Sequence, residues 1–159
     1  IREQMQNYHP VLLSKLTIKE NYQNLLAYIA QSFPDHHISI VFDCSDSLFL
    51  VPPYDIFIYR LLKELVTNVY KHSTGEKAWI TLTQDNGMIV LCVKDNGSAD
   101  TDSLTYADSS KHRGLALSAD RVHSMDGTVS ITQNFPHGIC VCINLPMKGD
   151  ASYQYFISR

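Results

Sequence analysis

The stretch LLKELVTNVYKH, residues 61–72, carries two stripes of side chains that an α-helix would place next to each other. Glu64, Asn68 and Lys71 are spaced four and three residues apart, so at about 3.6 residues per turn they share one face. An apolar stripe beside them can pack on a core; it consists of Ile58, Leu62, Leu65 and Val69. The pattern is typical of a solvated face with a Glu–Lys pair, but it would also place a carboxylate and an amide at the edge of a core.

Hydrophobic periodicity around this stretch predicts an α+β domain. The predicted architecture is a two-layer α/β sandwich, in which helices lie on one face of a mixed, mainly antiparallel sheet. We expect a preceding linker element at 1–17, the domain at 18–147 and an exposed tail at 148–159. The predicted helices are 18–33, 54–72 and 114–125, and the predicted strands are 38–42, 78–83, 88–94, 128–132 and 138–145.

Composition narrows the class of protein. The 159 residues are 45% hydrophobic and 18% charged, which argues against a disordered chain or a coiled coil. The 16 acidic and 13 basic residues give a net charge of −3, too balanced for the electrostatic footprint of a nucleic-acid-binding protein. The apolar run at 88–93 is too short to span a membrane, and the charged start at 1–4 is not a signal peptide.

The four cysteines are Cys44, Cys92, Cys140 and Cys142, and no two of them form a CxxC pair. Cys140 and Cys142 alternate with aliphatic residues, as strand residues do. We therefore expect four reduced thiols and a reducing compartment, with no metal or disulfide role.

The tripeptide Asp-Asn-Gly occurs twice. Residues 85–87 lie between two predicted strands of matched length, where a tight hairpin turn explains them. Residues 95–97 end a strand but lead into a loop, so a hairpin does not explain them. A carboxylate at this position can accept a hydrogen bond from an exocyclic amine, and Gly97 would let the backbone approach a flat ligand closely.

Residues 98–113 are rich in polar side chains and lack apolar periodicity, which predicts a long loop. Such loops are often functional, so we expect a lid that is poorly ordered without ligand. The loop leads into Arg113, Gly114 and Leu115 at the start of a predicted helix. Free backbone N–H groups at a helix start suit phosphate, although ordinary helix initiation is the more common explanation.

Together these motifs resemble the Bergerat-fold ATPase domain shared by sensor histidine kinases, DNA gyrase and MutL. Residues 64–73, ELVTNVYKHS, look like its N box, residues 93–97, VKDNG, like the first glycine box, and residues 114–122, GLALSADRV, like the second. The residues of these motifs are similar to those of the histidine-kinase branch that includes nitrate sensors and the desaturase thermosensor. The resemblance covers residues 8–147. No Walker A loop is present, which excludes P-loop chemistry.

The resemblance implies how the helix at 54–72 would serve ATP and Mg²⁺. Asn68 would coordinate the Mg²⁺ that bridges the phosphates, and Glu64 would orient a metal-bound water or assist as a base. Lys71 and His72 would meet phosphate. One amide and one carboxylate are enough, because Mg²⁺ takes most of its ligands from phosphate and water.

The resemblance also implies two contacts with adenine: Asp95 would accept a hydrogen bond from its amine, and Gly97 would let the chain pass the base. It implies in addition that the triphosphate is covered by Arg113, Gly114 and Leu115. The chain departs from the family at Ala99, Asp100, His112 and Ile139. These departures predict a lid that is less flexible or differently folded, and heavier reliance on Asp95 for base recognition.

The function implied is that of the cytoplasmic catalytic domain of a homodimeric sensor histidine kinase. It would transfer the γ-phosphoryl group of ATP to a histidine on a dimerisation helix, for relay to a response regulator. No histidine here precedes an acidic residue, so we expect the acceptor N-terminal to Ile1. Two alternatives stay open: a serine kinase of the anti-sigma-factor type, and a pseudokinase or scaffold whose pocket is vestigial.

Overall fold

The computed structural model describes residues 16–98 and 113–148, with side chains in the second range described from Ser118 onward. Within these ranges the chain forms three helices, α1 (Ile18–Ser32), α2 (Tyr54–His72) and α3 (Arg113–Ser124). It also forms five strands: β1 (Ser39–Cys44), β2 (Lys77–Asp85), β3 (Met88–Asp95), β4 (Thr128–Gln133) and β5 (Ile139–Pro146).

The five strands form one mixed sheet in the order β1-β2-β3-β5-β4. β1 runs parallel to β2, and every other neighbouring pair is antiparallel. The predicted α+β class and mainly antiparallel sheet are therefore confirmed. Each predicted helix and strand lies within a few residues of the observed one.

Local sequence explains where several elements begin and turn. Thr17 caps α1: its hydroxyl accepts the Glu20 N–H at 3.1 Å, while the Glu20 carboxylate accepts the Thr17 N–H at 2.9 Å. The β2–β3 turn places Asn86 at φ 49° and Gly87 at φ 76°, the left-handed conformations that an Asn-Gly hairpin turn needs.

The core lies between the helices and one face of the sheet. Ile80 and Leu82 of β2 and Leu91 of β3 are fully buried, and each side chain alternates with a more exposed neighbour. The apolar stripe of α2 packs on this face and is buried throughout. Burying one aliphatic side chain of this kind contributes about 1.5–3 kcal/mol, so the core fixes the rotation of α2 and hence the direction of its polar stripe.

The opposite face of the sheet carries a disulfide between Cys92 and Cys142. The two residues are directly opposite in the β3–β5 register, with Cα atoms 4.1 Å apart. The prediction of four reduced thiols is wrong for this pair, and the expectation of a reducing compartment loses that support. Cys44 and Cys140 are free thiols. The two cysteines meet because the β3–β5 register places them opposite each other. Register depends on long-range packing, so the spacing of the cysteines in the sequence does not reveal it.

Among the described helices, none is both long enough and apolar enough to cross a membrane. The proposed boundaries at 1–17 and 148–159 fall largely outside the described residues, so they stay predictions.

Candidate functional site

Helix α2 presents Glu64 and Asn68 at the edge of the core. Both side chains are half-buried, whereas Lys71, one turn further on, is exposed. The hydrogen bonds among the described residues include none to the Asn68 side chain. The shared face expected from the spacing is therefore present, and it changes from half-buried to exposed toward the C-terminal end of α2.

Glu64 is held by a residue of another helix. Ser118 of α3 donates its hydroxyl proton to Oε2 of Glu64 at 2.5 Å, and Ser118 is only 1% exposed. The second carboxylate oxygen, Oε1, receives no hydrogen bond from a described residue. The carboxylate is thus oriented through one of its two oxygens.

Asp95, the last residue of β3, is buried, and the hydrogen bonds to its carboxylate converge on one oxygen. Oδ1 accepts the N–H of Gly97 at 2.7 Å and the hydroxyl of Ser73 at 2.9 Å. No described residue donates to Oδ2. Within the described part of the chain, Oδ2 is thus the carboxylate oxygen that keeps its capacity to accept a hydrogen bond.

The segment after Asp95 is tied to the connection between α2 and β2. Oδ1 of Asn96 accepts the N–H groups of Glu76 and Lys77 at 3.0 and 2.9 Å. Thr74 Oγ1 accepts the N–H of Ser98 at 2.9 Å. These bonds fix the path of the chain past Asp95, where Gly97 is buried.

The β4–β5 connection holds the same segment from the other side. Nδ2 of Asn134 donates to the Asp95 carbonyl at 2.7 Å, and Nδ1 of His137 lies 2.9 Å from the Gly97 carbonyl. Gly138 has φ 110°, and a Cβ atom there would overlap the Asp95 carbonyl. Glycine is therefore required at this contact.

The C-terminal end of α2 is fixed by His36, from the α1–β1 connection. Its Nδ1 lies 2.8 Å from the Tyr70 carbonyl, and its Nε2 lies 3.2 Å from the Gly75 carbonyl. Lys71 and His72 project from this end and are exposed. Their placement allows them to meet an anion that approaches from solvent.

Three predicted phosphate contacts fall where side chains are not described. Arg113, Gly114 and Leu115 begin α3, so the predicted helix start is present there. The predicted lid at 98–113 lies, apart from its two ends, outside the described residues.

Sequence reasoning missed the residues that support the site. Ser73, Asn134 and Ser118 are small polar residues, which occur at many surface positions without a role. Ser73 and Ser118 each had one detectable signal, since they lie within the motif-like stretches at 64–73 and 114–122. Neither motif indicates the partners, because Asn134 and Ser118 bond to residues 39 and 54 positions away in the chain.

The described residues contain no group of three His, Cys, Asp or Glu side chains that could cage a metal. Glu64 and Asn68 instead offer two oxygen donors on one helix face. This donor set fits Mg²⁺ that is bound mainly through phosphate and water, and it does not fit a structural zinc site.

Sequence comparison finds similarity to ATPase domains and to histidine kinases. A family model described as "Histidine kinase-, DNA gyrase B-, and HSP90-like ATPase" matches residues 54–149. The histidine-protein kinase/phosphatase DegS of Bacillus subtilis is 26% identical over 114 residues, which cover 70% of this chain and 30% of DegS. The sensor histidine kinase NarS of Mycobacterium tuberculosis is 32% identical over 95 residues, covering 59% of this chain and 22% of NarS. The chain thus spans less than a third of the length of these relatives.

Solved structures share the fold. The histidine kinase domain of the blue-light activated kinase from Erythrobacter litoralis superposes with a TM-score of 0.68 at 14% identity, over 86% of this chain and 64% of that one. The catalytic domain of histidine kinase ThkA gives a TM-score of 0.66 at 16% identity, over 83% of this chain and 94% of that one.

Proposed function

Because the chain belongs to the family of histidine kinase-, DNA gyrase B- and HSP90-like ATPases, we propose that it is the ATP-binding catalytic domain of a sensor histidine kinase. The histidine-kinase branch is favoured because DegS and NarS, whose names record that activity, align with this chain over much of its length.

One observation carries the proposal: within residues 16–98 and 113–148, the hydrogen bonds to the buried Asp95 carboxylate all go to Oδ1 and none goes to Oδ2. Oδ1 is occupied by Gly97 and Ser73, so Oδ2 is the oxygen that would accept the N6 amine of adenine. Gly97 would let the ring lie against the backbone. Ile139 is buried and apolar where the family often has a threonine, so polar recognition of the base would rest mainly on Asp95.

Asn68 and Glu64 would serve the phosphate end of ATP. Asn68 would give its amide oxygen to Mg²⁺, and Glu64 would orient a metal-bound water or assist as a base. Bound Mg²⁺ would neutralise charge on the phosphates. Lys71 and His72 would meet phosphate at the exposed end of α2, and Arg113, Gly114 and Leu115 would cover the triphosphate.

The domain would transfer the γ-phosphoryl group to a ring nitrogen of an acceptor histidine, with ADP as the leaving group. Phosphoryl transfer asks the protein mainly for positioning and charge stabilisation, which suits a site made of one carboxylate, one amide and nearby cations. The proposed acceptor is on a dimerisation helix, because none of the seven histidines here precedes an acidic residue. In the proposed setting, a cytoplasmic homodimer passes the phosphoryl group on to a response regulator.

Radiolabelled ATP tests the proposal. The chain by itself should bind Mg-ATP without becoming labelled, whereas the chain joined to its dimerisation helices should acquire label that acid removes. Acid-stable label would instead identify a serine kinase. ATP binding without label in the extended protein would identify a pseudokinase or scaffold. Acid-labile label on the isolated chain would contradict the proposed place of the acceptor.

A further inference from the structure

Ser118 is buried in the contact between α3 and α2, where its hydroxyl group has one strong partner. It donates to Oε2 of Glu64 at 2.5 Å, within the range of about 2.5–2.7 Å typical of a hydroxyl bonded to a carboxylate. A serine inside a helix commonly bonds to the carbonyl four residues earlier on the same helix. Here the hydroxyl proton goes to a different helix, 54 residues away in sequence.

This bond restricts a side chain that would otherwise be mobile. Glu64 is half-buried, and a glutamate side chain has three rotatable torsions. Fixing Oε2 leaves Oε1 pointing to a defined place, which a group that orients a water or accepts a proton requires. The bond also links α2, which carries the N-box-like stretch, to α3, which begins at Arg113.

We propose that Ser118 is a positioning residue for Glu64 in phosphoryl transfer, an inference that rests on the proposed kinase function. By this role, Ser118 contributes to the chemical step through the orientation of Glu64 and makes no contact with ATP. Loss of its hydroxyl should lower kcat and leave the KM for ATP nearly unchanged.

The test is the rate of phosphohistidine formation in the kinase that carries this domain and its acceptor helix. Ser118→Ala should reduce kcat by about tenfold or more, as expected when a hydrogen bond to a charged group is lost, with KM changed less than about twofold. Ser118→Cys keeps the volume but is a weak donor, so it should show the same loss even if the alanine variant folds poorly. Ser124→Ala is the matched control, because Ser124 lies on the same helix and donates to the Arg121 carbonyl.

A double-mutant cycle separates positioning from general damage. In a Glu64→Ala background, Ser118→Ala should cause no further loss, since residues that act as a unit are not additive. Wild-type kcat in both Ser118 variants, or a full additional loss in the cycle, would overturn the inference while leaving the kinase function intact. Absence of phosphohistidine in the wild-type kinase would overturn both.

Discussion

Ser73 and Asp95 form a hydrogen bond of 2.9 Å that joins the end of α2 to the end of β3. Ser73 donates to Oδ1 of Asp95 and at the same time accepts the Gly75 N–H at 3.0 Å. The Asp95 carboxylate, which we propose binds adenine, is therefore oriented by the residue that directly follows α2. One hydrogen bond thus joins α2, which carries the proposed phosphate-binding residues, to the residue proposed to bind the base.

Replacing Asp95 by Asn should weaken ATP binding by about 1–3 kcal/mol. The Gly97 and Ser73 donors would hold the amide oxygen at the Oδ1 position, so an NH₂ group would face the adenine amine. Calorimetry with ATP measures the change. Asp85→Asn is the matched control, because Asp85 belongs to the other Asp-Asn-Gly and is the exposed last residue of β2. Unchanged affinity in Asp95→Asn would show that Asp95 does not bind the base.

Replacing Ser73 by Ala should weaken ATP binding by about 0.5–1.5 kcal/mol, less than Asp95→Asn, because one of two donors to Oδ1 is lost. The same substitution in the Asp95→Asn background should have a smaller effect, since the two residues act together. Ser47→Ala, in an exposed turn, should leave affinity unchanged. Equal losses in the presence and absence of Asp95 would mean that Ser73 acts on the fold instead.

Replacing Asn68 by Ala should weaken Mg-ATP binding by roughly tenfold or more, about 1.4 kcal/mol, while adenosine binding stays nearly intact. The reason is that a metal ligand affects phosphate binding more than base recognition. Titrations with both ligands, with and without Mg²⁺, measure the difference. Thr67→Ala, the neighbouring half-buried position, serves as the control. A similar loss for adenosine would make Asn68 a structural residue.

Replacing Gly138 by Ala should lower the free energy of unfolding by more than the matched change Gly87→Ala. Both glycines have positive φ, at 110° and 76°, so both substitutions carry a strain of order 1–3 kcal/mol. An alanine at 138 would also overlap the Asp95 carbonyl, whereas a Cβ atom at 87 would only make an ordinary contact, 3.8 Å from the Met147 carbonyl oxygen. Urea unfolding, followed by the fluorescence of the single Trp79, measures both. Gly138→Ala should also reduce ATP affinity, and equal stabilities would contradict the close contact.

The Cys44 thiol should react slowly with alkylating reagents at pH 8. Burial raises the pKa of Cys44 from 9.0 to about 11, so its thiolate fraction at pH 8 is about a hundredfold below that of an unperturbed thiol. Mass spectrometry after timed iodoacetamide treatment measures the rate, with the urea-denatured chain as control. Raising the pH toward 11 should increase the thiolate fraction and favour unfolding, because the charged thiolate is disfavoured in the core. Equal rates in native and denatured chains would contradict the burial.

Local sequence determined the elements and the residues that line the proposed site. Periodicity located α2 at 54–72 as observed, because its apolar stripe and the preceding prolines are local signals. The turn at Asn86-Gly87 was equally predictable from the conformations that these residues tolerate. The motifs at 64–73 and 93–97 identified Glu64, Asn68 and Asp95 as candidates, since spacing on one helix and position at a strand end are visible in the chain itself.

Only the tertiary structure decided which groups support those candidates. The Ser118–Glu64 and Asn134–Asp95 bonds join residues 54 and 39 positions apart, and the Cys92–Cys142 disulfide joins residues 50 apart. Each depends on strand register and helix packing, which many weak apolar contacts fix together. A side chain's type and spacing determine what it can do, but its partner is determined by the path of the chain through the core.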